Sequence, residues 1–157
     1  MEVRGRRCRM KITDQAGNTQ SVGVRATKSP VRIITVEEFL AEARAQGAKT
    51  NEDIVFVCPA CGTLQSGKDL IAAGAGKTFD DVAAQVGYSC IGRWHGAGDP
   101  RPQQDGKACN WSLGGLLHIH QLEIIAEDGE QCPRFALATP EQAQAHRAQA
   151  DGGKEAA

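Results

Sequence analysis

Cys58 and Cys61 stand in the run Phe56-Val57-Cys58-Pro59-Ala60-Cys61-Gly62, a C-x-x-C that directly follows an apolar, β-branched stretch. Two thiolates at that spacing can grip one metal ion, and a structural zinc takes four such donors at the corners of a tetrahedron. Gly62 suits the tight turn that must follow the second cysteine, where backbone N–H groups can offset thiolate charge. A purely apolar role for the pair accounts for neither Pro59 nor Gly62. The pair is therefore read as half of a clamp.

The chain holds six cysteines, and the other half must come from further along. Cys90 lies in "GYSCIGRW" and Cys109 in "GKACNWSLGG", at either end of a long polar stretch. We expect Zn2+ on Cys58, Cys61, Cys90 and Cys109, although the second pair lacks the C-x-x-C spacing of a zinc ribbon. Cys132, His95, His118 and His120 are the available replacements for one thiolate. "HIH" on a strand would put two imidazoles on one side. Cys8 reads as a bystander. A four-thiolate centre is coordinatively full, so it supports folding and performs no chemistry.

Other chemistries find little support. No H-x-E accompanies a P-C-x-x-C, which removes the nucleobase-deaminase signature. "GAGKT", residues 74–78, lacks the first glycine of a phosphate loop because Ile71 stands there; it reads as a linker. There is no G-x-S-x-G. A dithiol redox pair would open a helix, and "GTLQ" after Cys61 breaks that geometry.

The elements that must position the cysteines follow from periodicity and capping. Thr35 and Glu38 form a capping box, with Val36, Phe39, Leu40 and Ala43 on one helical face and Gly47 as the stop. Residues 54–57 read as a strand feeding Cys58. Ser66 with Asp69, and Thr78 with Asp81, cap two short helices, the second ending at Gly87. Tyr88 to Trp94 is expected to be a strand, and 95–108 an exposed loop. Residues 116–127 and 131–137 predict a hairpin with a type I′ turn at Asp128-Gly129. Thr139, Pro140 and Gln142 start a helix whose only apolar residues are alanines. Residues 10–26 suggest a small hairpin around Asp14 to Asn18.

These elements sum to a small α+β single domain with a zinc-knuckle-like site, short helices and a C-terminal β-hairpin. The expected organisation is a basic N-terminal arm with a short hairpin (1–30), a zinc-stabilised domain (31–138), and a weakly docked helix with a disordered tail (139–157). Charge is uneven: residues 1–32 carry a net +6 within a chain of net −1. That arm could meet nucleic acid or an acidic protein surface, or be an incidental extended start. No apolar run approaches the ~18 residues of a membrane span, and no apolar segment follows the basic start, so a reducing cytoplasm and no membrane partner are expected.

Aromatic residues make up only 4% of the chain. Basic and aromatic side chains alternate around the long loop, at Arg93, Trp94 and His95 and again at Lys107, Asn110 and Trp111. A shared metal would bring these segments together, with the tryptophans covering it and the six residues forming an interaction surface.

The blocks "ITVEEFLAEARAQG", "DIVFVCPACGTLQSGKDLIAAGAG", "FDDVAAQVGYSCIGRW", "GAGDPR", "DGKACNWSLGGL" and "PRFALATPEQA" together resemble a family of small phage- and prophage-encoded proteins of unassigned function. The resemblance spans about residues 33–145 and implies a phage setting, with the four cysteines as a set. It supplies no mechanism. The resulting expectation is a non-enzymatic, zinc-stabilised accessory protein that contacts a host or phage protein, such as a host-defence machine, in a bacterial cytoplasm. The alternatives are a nucleic-acid-binding accessory protein using the arm and the 93–107 loop, and a metal- or thiol-dependent enzyme.

Overall fold

The structure is a computed structural model that describes residues 31–114 and 120–155. The basic arm, its expected hairpin, Cys8 and His118 lie outside the described residues. What is described is a small α+β fold of short helices on two three-stranded sheets.

The first sheet has the order β1-β4-β5, formed by Arg32–Thr35, Leu122–Ile125 and Gln131–Arg134. β1 runs parallel to β4 and β4 antiparallel to β5. Alternation decides which side faces in: Ile34 and Leu122 are buried, whereas Ile33 on the opposite face is 55% exposed. The expected C-terminal hairpin is present, but its turn is not type I′. Ala126 N–H donates to Glu130 O at 2.8 Å and Gly129 N–H donates to Ala126 O at 2.9 Å, leaving a three-residue loop in which Gly129 takes φ +83°. No described non-glycine residue has positive φ, so Asp128 cannot occupy an I′ position.

The second sheet has the order β3-β2-β6: Leu64–Ser66, Val55–Val57 and Ala136–Leu137, all antiparallel. The strand expected as one continuous run over 131–137 is thus divided between two sheets. Buried Phe135 is the crossing point, and its N–H donates to Gly87 O at 2.6 Å. β2 and β3 are the arms of the C-x-x-C turn. Phe56, Gln65 and Leu137 occupy one face of this sheet; Val55, Val57 and Leu64 occupy the other.

Helix α1, Val36–Ala45, has the expected reciprocal capping box between Thr35 and Glu38, and Gly47 follows at φ +77°. Helices α2 (Gly67–Ala72) and α3 (Phe79–Val82) start at the predicted boxes, Ser66/Asp69 and Thr78/Asp81. α3 is shorter than its apolar periodicity suggests and continues as turns to Gly87. The stretch 74–78 joins the two helices, with Lys77 N–H and Thr78 N–H both donating to Asp81 Oδ2. Helix α4 runs Pro140–Glu155, so residues 151–155 continue the helix where a disordered tail was expected.

The larger apolar cluster joins Phe56, Leu70, Val82, Val86, Ile91, Leu113 and Phe135 to the four cysteines, with Phe39 stacked on Phe56 at 6.1 Å. Buried Gln46 ties α1 to the second sheet. Its side chain accepts from Val55 N–H at 3.0 Å and donates to Val55 O and Ala138 O at 2.9 and 2.8 Å. Replacing it with leucine leaves Val55 N–H and Ala138 O without that partner, at about 1–3 kcal/mol for each buried group. Gln46→Leu is therefore expected to lower unfolding stability by at least about 2 kcal/mol, read as a shift of the urea midpoint.

Candidate metal centre

β2 delivers Cys58 into a turn that the backbone closes twice. Cys58 N–H donates to Thr63 O at 3.0 Å, and Gly62 N–H donates to Cys58 O at 2.8 Å. Gly62 takes φ +79°, the left-handed conformation that glycine adopts without cost. Residues 88–94 differ from expectation. They form no strand; Ser89 makes a single antiparallel bridge to Ser112, and Ile91–Trp94 closes as a 3-10 turn. Cys90 N–H donates to Trp111 O and Leu113 N–H to Tyr88 O, which holds the Cys90 segment beside the one that follows Cys109.

The result is one cluster. The sulfurs of Cys58, Cys61, Cys90 and Cys109 all lie within 4.8 Å of one another, and all four residues are buried. Cys61 and Cys90 are 3.8 Å apart and Cys58 and Cys109 4.0 Å, far beyond a disulfide bond. A tetrahedral zinc with bonds of about 2.3 Å to sulfur has an edge of about 3.8 Å. The donor set therefore fits a thiophilic ion in both chemistry and size.

The electrostatics favour a cation at the centre. The neighbouring Cys90 thiol and burial push the Cys58 thiol up, and burial pushes Cys109 up to about 12. Cys90 is drawn down to about 5, first by the Cys58 thiol and then by the backbone N–H groups of Cys109 and Gly92. Four buried sulfurs cannot all be thiolates without a positive charge among them. Backbone N–H groups of Cys61 and Ala60 reach Cys58, and that of Trp111 reaches Cys109, as outer partners of metal-bound thiolates do.

Three features of the site are not visible as motifs. Gln65 on β3 is buried, its amide donating to Ser89 O and accepting from Ile91 N–H, both at 2.8 Å. It thus fastens both neighbours of Cys90 to the hairpin that carries Cys58 and Cys61. Gly92 lies so close to the other half that a Cβ there would stand 2.3 Å from Cys109 O. Thr63 and Gln104 pin the long loop. Gln104 donates to Pro59 O at 2.6 Å, Thr63 Oγ1 to Gly106 O at 3.1 Å, and Gly106 N–H to Cys61 O at 2.9 Å. No spacing rule flags Gln65. For Gly92, its place two residues after a cysteine was the available cue.

The remaining candidates divide. Trp94 and Trp111 are half-buried against the cysteine cluster, and Trp111 Nε1 is buried without a hydrogen-bond partner. Arg93, Trp94 and Asn110 line one shallow depression with Ala97, where Arg93 donates to Asn110 O at 3.1 Å. Arg93, His95 and Lys107 are exposed. Cys132 sits on β5 opposite Ile124, and His120 pairs with Glu123 at 2.6 Å; neither joins the cluster. Among the described residues no helix is long and apolar enough to cross a membrane.

Gln65→Leu is expected to weaken metal binding by roughly 10- to 100-fold, as outer-shell losses do, in competition with a chromophoric chelator. Gly92→Ala forces Cys109 aside and is expected to do more. Equal chelator resistance in all three proteins would show that neither residue positions the thiols.

Comparison with known proteins adds a family without an assigned activity. No curated protein and no solved structure matches the chain significantly. Residues 35–138, which include all four clustered cysteines and end just short of α4, match a single family description. The chain belongs to the VVA0879-like family.

Proposed function

We propose that Cys58, Cys61, Cys90 and Cys109 bind one zinc ion as a structural centre, and that the protein acts through the surface this centre organises. The convergence of four buried sulfurs within 4.8 Å carries the reading. Four thiolates fill a tetrahedral zinc and leave no position for water or substrate, so the centre holds loops in place. Those loops carry Arg93, Trp94, His95, Lys107, Asn110 and Trp111, of which Arg93, Trp94 and Asn110 line one depression. We read these six residues as the contact surface for a protein partner.

The setting we propose is that of a phage or prophage accessory protein in the bacterial cytoplasm, with a host or phage protein, such as a defence machine, as partner. The likeness of the cysteine-bearing blocks to such proteins supports it. Exposed Arg93 and Lys107 favour nucleic acid as the second reading. Arg101 adds less, because Asp105 engages it at 2.6 Å, and that carboxyl is drawn down to about 2 by the guanidinium.

Native mass spectrometry is expected to find one zinc per chain, lost on denaturation. Cys90→Ser is expected to lower the melting temperature by roughly 10 °C or more, while Cys132→Ser changes it little. A metal-free protein whose melting is indifferent to Cys90→Ser would overturn the centre. For the surface, Arg93→Glu with Trp94→Ala is expected to abolish recovery of a specific bacterial or phage protein while leaving zinc content intact. Salt-sensitive binding of a single-stranded oligonucleotide, lost in that same double variant, would move the assignment to nucleic acid.

A further inference from the structure

Helix α4 lies on the second sheet with almost no apolar surface of its own. Its inward stripe is Pro140, Ala143, His146 and Arg147, and of these only Ala143 is fully buried. A single alanine methyl contributes little burial energy, so polar contacts must hold the helix. There are two. His146 Nε2 meets Asp69 Oδ2 of α2 at 2.7 Å, both groups half-shielded. The Arg147 guanidinium reaches Asp53 O at 3.1 Å and also Gln46 O, the carbonyl at the C-terminal end of α1.

Asp69 Oδ2 is already the capping-box acceptor of α2, taking bonds from Ser66 N–H and Ser66 Oγ. Its acceptor capacity is therefore largely committed, and a charged donor on α4 is the partner it suits best. Below the helix lie Val55, Val57, Leu64 and Ala138, the face of the sheet opposite to the one that meets the cysteines. Lifting α4 would uncover that apolar strip on the very hairpin that carries Cys58 and Cys61.

We propose that α4 is a proton-sensitive strap, held most firmly on the second sheet while His146 is protonated against Asp69 and loosened, with the Arg147 contacts remaining, when that proton is lost. The charged groups around His146 are Asp69 on α2 and Arg147 on α4 itself. Lys68, beside Asp69, is tied to Asp53 of the 51–53 turn, with Glu52 and Asp151 acting on Lys68. The hydrogen bond that His146 donates to Asp69 raises the His146 imidazole above its ordinary value, opposed by burial and by Arg147. Asp69, pushed up by burial, ends below the usual carboxylate range because His146 and Ser66 outweigh that cost.

The signs then follow. A raised histidine contributes fully below its undocked value near 6.5 and is lost as pH rises through the docked value. A lowered carboxylate contributes above about 4 and is lost as pH falls through its own depressed value. Docking is strongest between these limits and weakens on the alkaline side first.

The test is hydrogen exchange on the full-length, metal-loaded protein at pH 6 and pH 9. The protection of amides 141–153 is divided by that of α1, which cancels intrinsic chemistry and global opening. Because docking raises the imidazole, the ratio is expected to fall from pH 6 to pH 9. In His146→Gln, which keeps a donor and removes the titration, the ratio is expected to be flat with pH. A flat ratio in the wild type, or the same fall in His146→Gln, would overturn the strap's proton sensitivity. Neither readout depends on which metal fills the cysteine centre.

Discussion

Four sulfur atoms packed within 4.8 Å in a dry interior set the terms for the rest of this molecule. As thiols they are small hydrophobes with weak hydrogen bonds, and as thiolates they repel. A divalent ion would resolve the conflict, because ligation removes the protons and neutralises half of the charge. The backbone N–H groups around Cys58, Cys90 and Cys109 moderate what remains. No other cluster of metal-ligating side chains occurs among the described residues.

Much irregular chain keeps a definite shape around that cluster. The segment from Gly87 to Gly114 contains one short 3-10 turn and one isolated bridge, yet it is fixed by Gln65, by the contact of Gly92 with Cys109, and by the pinned loop 96–106. Gln65 and the loop contacts join this segment to the β2–β3 hairpin, and the Gly92 contact joins its Cys90 part to its Cys109 part. The second sheet is consequently two-sided. Phe56 and Gln65 look toward the cysteines, whereas Val55, Val57 and Leu64 look toward α4, which rests there through ionic and carbonyl contacts. One face of the sheet thus packs on the cysteine cluster and the other lies under a polar helix.

Helix starts were readable from residue types, because a capping box is a local device: Thr35/Glu38, Ser66/Asp69 and Thr78/Asp81 each open a helix where expected. β1 and β3 were not anticipated as strands, and β5 and β6 were read as one. Runs of three or four residues carry too little periodicity to reveal a partner distant in sequence, and β1 finds its own ninety residues away on β4. The turn at 127–129 misled for a related reason. Asp-Gly favours a type I′ turn, but the register of β4 against β5 requires three loop residues.

The C-x-x-C spacing and its flanking Pro59 and Gly62 were enough to announce a thiolate clamp, since two donors three residues apart on a tight turn need nothing from the rest of the chain. Naming Cys90 and Cys109 as companions was an inference from position, and only the folded chain brings their sulfurs to 3.8 and 4.0 Å from Cys61 and Cys58. Gln65 and His146 were silent in the primary structure. What each does depends on a group 24 to 77 positions distant, and such separations acquire meaning only once packing has closed the loops between them.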